Sequence, residues 1–209
     1  IYPILGLLFI ALIMFYIINP IFSSINFAIT HFLNSMGTGN LVILTLILAG
    51  MMAIDMGGPF NKAAYAFATL NLANADDQAY IIMAAVMIGG MVPPIAIALS
   101  NTFFKNRWTN EERKNAPVNY VMGLSFITEG AIPYAAGHPL QVIPSCIVGS
   151  AVAGALSALF GCKLMAPHGG IFVFPVVDHA LLYVVALIVG SVVGAVILSL
   201  LKKNRTDAE

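Results

Sequence analysis

One carboxylate stands alone in a long apolar stretch of the chain. Glu129 is the only acidic residue between Val118 and Val177, and Gly130 and Pro133 follow it closely. A carboxylate at bilayer depth costs about 2.5–3.5 kcal/mol on insertion scales, so a partner or a ligand must offset that cost. The nearby glycine and proline favour a broken helix or a hairpin tip. Two interpretations stay open: a functional carboxylate, or one half of a structural ion pair.

Two further segments carry groups that could bind hydroxyls. Asp55, Asn61 and Lys62 flank two glycines and a proline, which stop a helix and free backbone amides and carbonyls. The alternative is that Asp55 and Lys62 belong to a polar loop at the outer membrane face. In residues 166–170, His168 offers one hydrogen-bond donor and one acceptor at neutral pH. A structural histidine is the competing interpretation there.

The composition places these groups in a membrane protein. Of the 209 residues, 60% are hydrophobic and only 9% are charged, and the mean hydropathy is +0.94, whereas soluble domains are about 25% charged. The formal net charge is zero, which argues against a nucleic-acid partner. Cys146 and Cys162 form no metal or redox spacing, and nucleotide-binding motifs are absent, so we expect neither metal nor cofactor. The chain begins with Ile1 and is interpreted as a fragment.

The apolar runs predict an all-α integral membrane bundle. A spanning helix needs about 20 mostly apolar residues, and residues 19–40, which mix apolar with polar side chains, are typical of an amphipathic helix at the membrane interface. The strongly polar segment Lys105–Pro117 is predicted to be a loop. The apolar runs are Tyr2–Ile18, Leu41–Ile54, Ala79–Phe104, Leu140–Phe160 and Ala180–Leu201.

The basic residues predict the orientation. Four of the nine Lys and Arg lie in Lys105–Lys114 and three in Lys202–Arg205, so the positive-inside rule predicts that both segments, and the tail 202–209, are cytoplasmic. An even number of crossings must then separate them, which leaves residues 118–137 and 161–179 as re-entrant hairpins. Such backbone is tolerated only around protein or a water-filled cavity. Alternatively, Tyr120–Ala136 is one more span.

Three motifs occupy residues 55–67, 123–134 and 166–171. In sequence and in order they resemble the fructose-specific enzyme IIC family, the membrane permease component of the bacterial phosphoenolpyruvate-dependent sugar phosphotransferase system. The resemblance implies a multi-span helical bundle of the glucose-superfamily type, with two re-entrant hairpins and an interfacial helix. The chain would be the C-terminal part of that domain.

The resemblance also implies a function. Fructose or a related sugar would be bound, carried across the bacterial cytoplasmic membrane by a homodimer, and phosphorylated by the phosphocysteine of a B domain, fused or separate. Glu129 would be the catalytic candidate that holds the reacting hydroxyl, beside Thr128 in the same hairpin. Asn61 and His168 would bind other hydroxyls, with Asp55 and Lys62 as further candidates.

A second class of protein fits the residues by themselves. An ion-coupled secondary transporter of a small polar solute also places broken helices near the middle of the membrane. Without the three motifs, the physical argument ends at a transporter with a central polar site.

Overall fold

The computed structural model describes residues 2–20, 23–24, 27–28, 31, 35 and 41–203. Two compact units result, Ile1–Gly37 and Thr38–Glu209. In the first unit, helix α1 (Tyr2–Ile13) continues into a π-helical turn. The predicted interfacial helix 19–40 lies largely outside the described residues.

The second unit is a helical bundle, as the composition predicts. Three of its helices are long and apolar enough to span a membrane: α4 (Asp77–Phe103), α7 (Pro139–Leu159) and α8 (Ala180–Leu201). At 1.5 Å per residue, α4 is about 40 Å long, more than the hydrocarbon core of about 30 Å. The helices of this unit are α2 (Leu41–Met51), α3 (Pro59–Asn71), α4 (Asp77–Phe103), α5 (Asn110–Leu124), α6 (Ile132–Gly137), α7 (Pro139–Leu159) and α8 (Ala180–Leu201).

Helix α4 is the buried centre of the bundle and runs unbroken through Pro93 and Pro94. Small residues let its neighbours approach closely, since a Cβ on Gly89 would lie 2.7 Å from the Cα of Ala49 in α2. Helix α8 runs parallel to α4. The Ser100 and Ser199 hydroxyls are 2.8 Å apart near their C-terminal ends. The C-termini of both helices therefore lie at the same pole of the bundle.

The two poles carry opposite charge. At the N-terminal end of α4, the acidic pole, Asp76 caps the helix and Asp77 pairs with Lys163 at 2.8 Å. At the C-terminal end, the basic pole, the Arg107 guanidinium donates to the carbonyl oxygen of Lys202. The described parts of both basic segments therefore share one pole. That this pole faces the cytoplasm stays a prediction.

The predicted loop Lys105–Pro117 is wrong from residue 110 onward, where α5 begins. Thr109 and Glu112 form a capping box: the Thr109 N–H donates to the Glu112 carboxylate (2.8 Å), and the Glu112 N–H donates to the Thr109 hydroxyl (3.0 Å). These bonds satisfy amides that a helix N-terminus otherwise leaves unpaired. The many charged residues of the segment are typical of a solvated loop, so the sequence analysis did not predict this helix start.

Residues 110–138 form the first reversal, in which α5 leaves the basic pole and the chain returns to it. After a turn at 125–127, a 3₁₀ turn (Thr128–Ala131) leads into α6. His138 Nε2 then lies 3.2 Å from Glu112 Oε1, so the two ends meet. This reversal is longer than the predicted hairpin 118–137, whose membrane depth stays a prediction.

Residues 161–179 form the second reversal, which starts and ends at the acidic pole. Two short antiparallel strands, β1 (Lys163–Leu164) and β2 (Val177–Asp178), close its base, with Lys163 opposite Asp178. A 3₁₀ segment, Ile171–Val176, lies between them. That this reversal is the predicted re-entrant hairpin 161–179 stays a prediction.

The Glu112 carboxylate joins the first reversal to α8. Lys202 Nζ lies 3.2 Å from Glu112 Oε1, and the Tyr134 hydroxyl donates to the Glu112 carbonyl oxygen at 3.0 Å. Burial raises the pKa of Glu112, but the hydrogen bonds from Thr109 and the charge of Lys202 outweigh it, so the pKa lies below its usual value of 4.5. Glu112 therefore stays ionised and holds the pole together.

We expect Glu112→Gln to destabilise the protein by about 1.5–3 kcal/mol, the range for hydrogen bonds to charged groups, because it removes the carboxylate that compensates the buried Lys202 ammonium. The exposed neighbour Glu111 gives the matched control, and Glu111→Gln should change stability by less than about 0.5 kcal/mol. Thermal unfolding of the purified variants measures both.

The lowered pKa of Glu112 also predicts that the stability of the protein depends on pH. Because the folded pKa of Glu112 is lowered, its stabilisation is complete above the unfolded value and is lost as the pH falls through the folded pKa. Acidification below about pH 4.5 should therefore destabilise the wild type more than Glu112→Gln. Equal melting temperatures for the variants at positions 111 and 112 at neutral pH would contradict the role of Glu112.

Candidate functional site

The tips of the two reversals meet inside the bundle. Phe126 has a left-handed backbone (φ 62°), and its ring lies between Gly90 of α4 and Gly169 of the second reversal. A Cβ on Gly90 would lie 2.6 Å from Phe126 Cε2, and one on Gly169 would collide with the same ring. Gly170, at φ 91°, passes the Leu124 carbonyl oxygen, which a Cβ would approach to 2.8 Å. Only glycine allows these approaches.

Hydrogen bonds fix both tips to helices. The Thr128 hydroxyl donates to the carbonyl oxygen of Gly90 at 2.8 Å, and Gly90 is the midpoint of α4. The Tyr65 hydroxyl of α3 donates to the carbonyl oxygen of Pro167 at 2.8 Å. The place where the tips meet is therefore level with the middle of the longest helix.

Asp55 organises the start of α3. Its carboxylate accepts hydrogen bonds from the backbone N–H groups of Phe60 (2.7 Å) and Asn61 (3.0 Å), and Pro59 occupies the first turn. A carboxylate at a helix N-terminus satisfies amides that lack helical partners and also interacts favourably with the helix dipole. The Asn61 side-chain amide nitrogen donates to the Met52 carbonyl oxygen at 2.8 Å. The Asn61 side-chain oxygen is left as an acceptor.

A cavity of about 360 Å³ lies between α3 and the two tips. Five of the six predicted site residues line it, whereas Asp55 does not. Sequence reasoning missed the other four lining residues, Met52, Tyr65, Phe126 and Pro167, although the last three fall inside the recognised motifs. The lining residues are Met52, Asn61, Lys62, Tyr65, Phe126, Thr128, Glu129, Pro167 and His168.

The Glu129 carboxylate has no cation partner within the described part of the chain. It lies against the backbone of Gly57, where a Cβ would come within 2.9 Å of Oε1. Lys62 lines the same cavity and likewise makes no ion pair with a described residue. The structural ion pair considered for Glu129 is therefore not seen, and the carboxylate is left to a ligand or water.

His168 presents one ring nitrogen to the cavity side of the second tip. Its Nδ1 lies 2.6 Å from the Gly169 carbonyl oxygen, which favours the tautomer with a proton on Nδ1. Nε2 is then an acceptor. The imidazole also packs beside the Phe126 ring, with centroids 6.1 Å apart.

Together these groups suit a small solute that carries several hydroxyls. Glu129, Asn61 and His168 provide acceptors, Lys62 provides donors, and Tyr65 and Phe126 provide aromatic surface. The volume lies within the range typical of small-ligand pockets. Fold and site thus define an all-α membrane protein with an open polar cavity between α3 and the tips of the two reversals.

The chain belongs to the EIIC family of the phosphotransferase system, whose model matches residues 1–149. It is 48% identical to the fructose-specific EIIABC component of the PTS system of Bacillus subtilis, over 99% of this chain and 32% of that protein. It is 49% identical to the fructose permease IIC component of Bacillus amyloliquefaciens, over 97% of this chain and 66% of that protein. The family resemblance read from the three motifs is therefore confirmed.

The chain spans about a third of the length of the multidomain relatives that it matches. For the fructose-specific EIIB'BC component of Escherichia coli, the match is 44% identical and covers 99% of this chain and 37% of that protein. No solved structure matches the chain significantly.

We expect Gly169→Ala to damage the site, because its methyl group would collide with the Phe126 ring. Overpacking costs typically about 1–3 kcal/mol, and displacing Phe126 would disturb the neighbouring Thr128 and Glu129. Solute binding by the full-length protein should weaken about tenfold or more. Gly137→Ala is the matched control, since a Cβ there meets nothing within 4 Å. Equal binding by both variants would show that the tip contact does not shape the pocket.

Proposed function

We propose that the chain binds fructose or a closely related sugar in this pocket, as part of a permease that transports the sugar and presents it for phosphorylation. The observation that carries the proposal is the convergence of Asn61, Lys62, Thr128, Glu129 and His168 on one cavity. These residues come from three segments that lie far apart in the sequence, 55–67, 123–134 and 166–171. The relatives are named as a fructose-specific component and a fructose permease, which supports the choice of sugar.

Glu129 is the residue that we assign to the reacting hydroxyl. Its unpaired carboxylate can accept that hydroxyl's hydrogen bond and orient the oxygen. In the transfer, the sugar oxygen attacks the phosphorus of a phosphocysteine, the S–P bond breaks, the thiolate leaves, and the hydroxyl proton passes to the carboxylate. Asn61 and His168 bind other hydroxyls, and Lys62 donates to a further sugar oxygen.

Thr128 and Asp55 have a different part in the proposal. Both side chains form hydrogen bonds with the backbone. The Thr128 hydroxyl donates to the Gly90 carbonyl oxygen, and the Asp55 carboxylate accepts from the first amides of α3. Thr128 can still accept a hydrogen bond from the sugar. Asp55 lies outside the lining, and we infer that it positions Asn61.

The phosphocysteine would come from a B domain, which the names of several relatives include. We propose that this domain approaches from the basic pole, that the pole and the C-terminus are cytoplasmic, and that the membrane is the bacterial cytoplasmic membrane. Both reversals would then be re-entrant hairpins whose tips meet at mid-membrane depth. We also propose, from the family resemblance alone, that the protein is a homodimer.

The alternative, an ion-coupled secondary transporter, has no support from the comparisons. The relatives are named as components of the phosphotransferase system. Transport of fructose by the full-length protein without any phosphodonor would reopen that alternative.

The direct test is Glu129→Gln in the full-length protein. The amide keeps the size of the side chain, but it accepts hydrogen bonds more weakly than a carboxylate, whose bonds are worth about 1.5–3 kcal/mol. We expect fructose affinity to fall about tenfold or more, phosphorylation to fall with it, and the melting temperature to stay unchanged. Glu111→Gln is the matched control, since Glu111 lies outside this pocket.

Sugar binding and thermal stability, measured together, distinguish a role of Glu129 in the sugar site from a structural role. A stable Glu129→Gln variant with wild-type affinity and phosphorylation would remove Glu129 from the site. A variant that melts early while Glu111→Gln does not would favour a structural role for the carboxylate.

A further inference from the structure

A second polar cavity, of about 480 Å³, lies at the basic pole, where the end of α4 meets the first half of α5. Lys105, Arg113 and Lys114 line it, together with polar side chains that include Thr102 and Asn110. No acidic residue belongs to the lining. We call it the basic cavity.

The cations of the basic cavity are not committed to partners. Within the described residues, neither Lys105, Arg113 nor Lys114 forms a salt bridge. A neighbouring cavity of about 360 Å³ offers a comparison at the same pole. There Lys202 pairs with Glu112, and Arg107 donates to a backbone carbonyl. Among the described residues of this pole, the basic cavity therefore brings together three cations that form no salt bridge.

Exposed apolar side chains lie close in sequence to the lining residues on both helices: Phe103 follows Thr102, and Val121 is one helical turn beyond Pro117. Phe103 is 73% exposed and Val121 is 65% exposed, and they lie on the two helices that form the cavity, α4 and α5. The Thr102 and Tyr120 hydroxyls, 2.8 Å apart, join those two helices beside the cavity. Exposed apolar side chains are thus near neighbours of the cationic lining on both helices.

We propose that the basic cavity binds the headgroup of an anionic phospholipid. Lys105, Arg113 and Lys114 contact the phosphate, and the acyl chains lie along Phe103 and Val121. Arginine suits this task because its planar fork binds phosphate oxygens through two hydrogen bonds. Basic residues immediately beside the end of a spanning helix attract anionic lipids, and aromatic side chains prefer the same depth.

A soluble phosphate-bearing group would need the charges but not exposed apolar side chains nearby. The exposed Phe103 and Val121, next to lining residues on both helices, therefore favour a lipid. The proposal concerns a site that is separate from the sugar pocket, with which it shares no lining residue. Its failure would leave the proposed sugar site untouched.

The test uses the full-length protein reconstituted in bilayers of phosphatidylcholine with spin-labelled phosphatidylglycerol as the probe. The variant Arg113→Gln with Lys114→Gln removes two of the three cations. At the attraction expected for each basic residue near a membrane surface, we expect the preference for phosphatidylglycerol at this site to fall about 30-fold. Lys203→Gln is the matched control, since it removes a cation of the same pole that lies outside the basic cavity.

Three results would overturn the proposal: a wild type without preference for phosphatidylglycerol, a double variant that keeps that preference, or a control that loses it equally. Inorganic phosphate supplies a further arm on the unaltered protein. If millimolar phosphate displaces the labelled lipid completely, the cavity is a site for soluble phosphate groups and not for lipid. If millimolar phosphate leaves the lipid bound and high salt releases it, the lipid assignment holds, even where the double variant fails to fold.

Discussion

The Phe126 ring, held between Gly90 and Gly169, is the contact on which the arrangement of the site depends. Each reversal begins and ends at its own pole, so its tip is fixed only by what it meets in the middle of the bundle. Phe126 adopts a left-handed backbone there, a conformation that costs a non-glycine residue of the order of 1 kcal/mol or more. The neighbouring glycines offset this cost by letting the ring fill the space between three segments. The pocket residues follow from that placement: Thr128 and Glu129 on one side, His168 on the other.

A second constraint comes from the backbone polar groups of irregular segments. In a low-dielectric environment an unpaired amide or carbonyl costs several kcal/mol, so a chain that reverses inside a bundle must find partners for its backbone. The Thr128 hydroxyl bonds the Gly90 carbonyl oxygen, and the Tyr65 hydroxyl bonds the Pro167 carbonyl oxygen. Asp55 does the same for the first amides of α3. Side chains that a motif comparison assigns to a ligand can therefore be committed to the backbone instead.

The sequence predicted those features that depend on local pattern. Apolar length identifies α7 and α8 as spans, and the isolation of Glu129 in an apolar stretch marks it as a pocket residue. The sequence did not predict features that depend on contacts between residues far apart in the chain. The pairing of Glu112 with Lys202 and the role of Asp55 both depend on where other segments come to lie. The start of α5 was missed for a different reason, because its capping box is hidden among charged residues that resemble a solvated loop.

The central claim is that the tips of the two reversals enclose the sugar. The measurement that tests it most directly is a cryo-electron microscopy map of the full-length protein with fructose bound. The account predicts density for one sugar between α3 and the two tips, with a hydroxyl within hydrogen-bond distance of Glu129 and another near Asn61 or His168. Fructose ordered elsewhere in the bundle, with this cavity empty or filled by side chains, would contradict it.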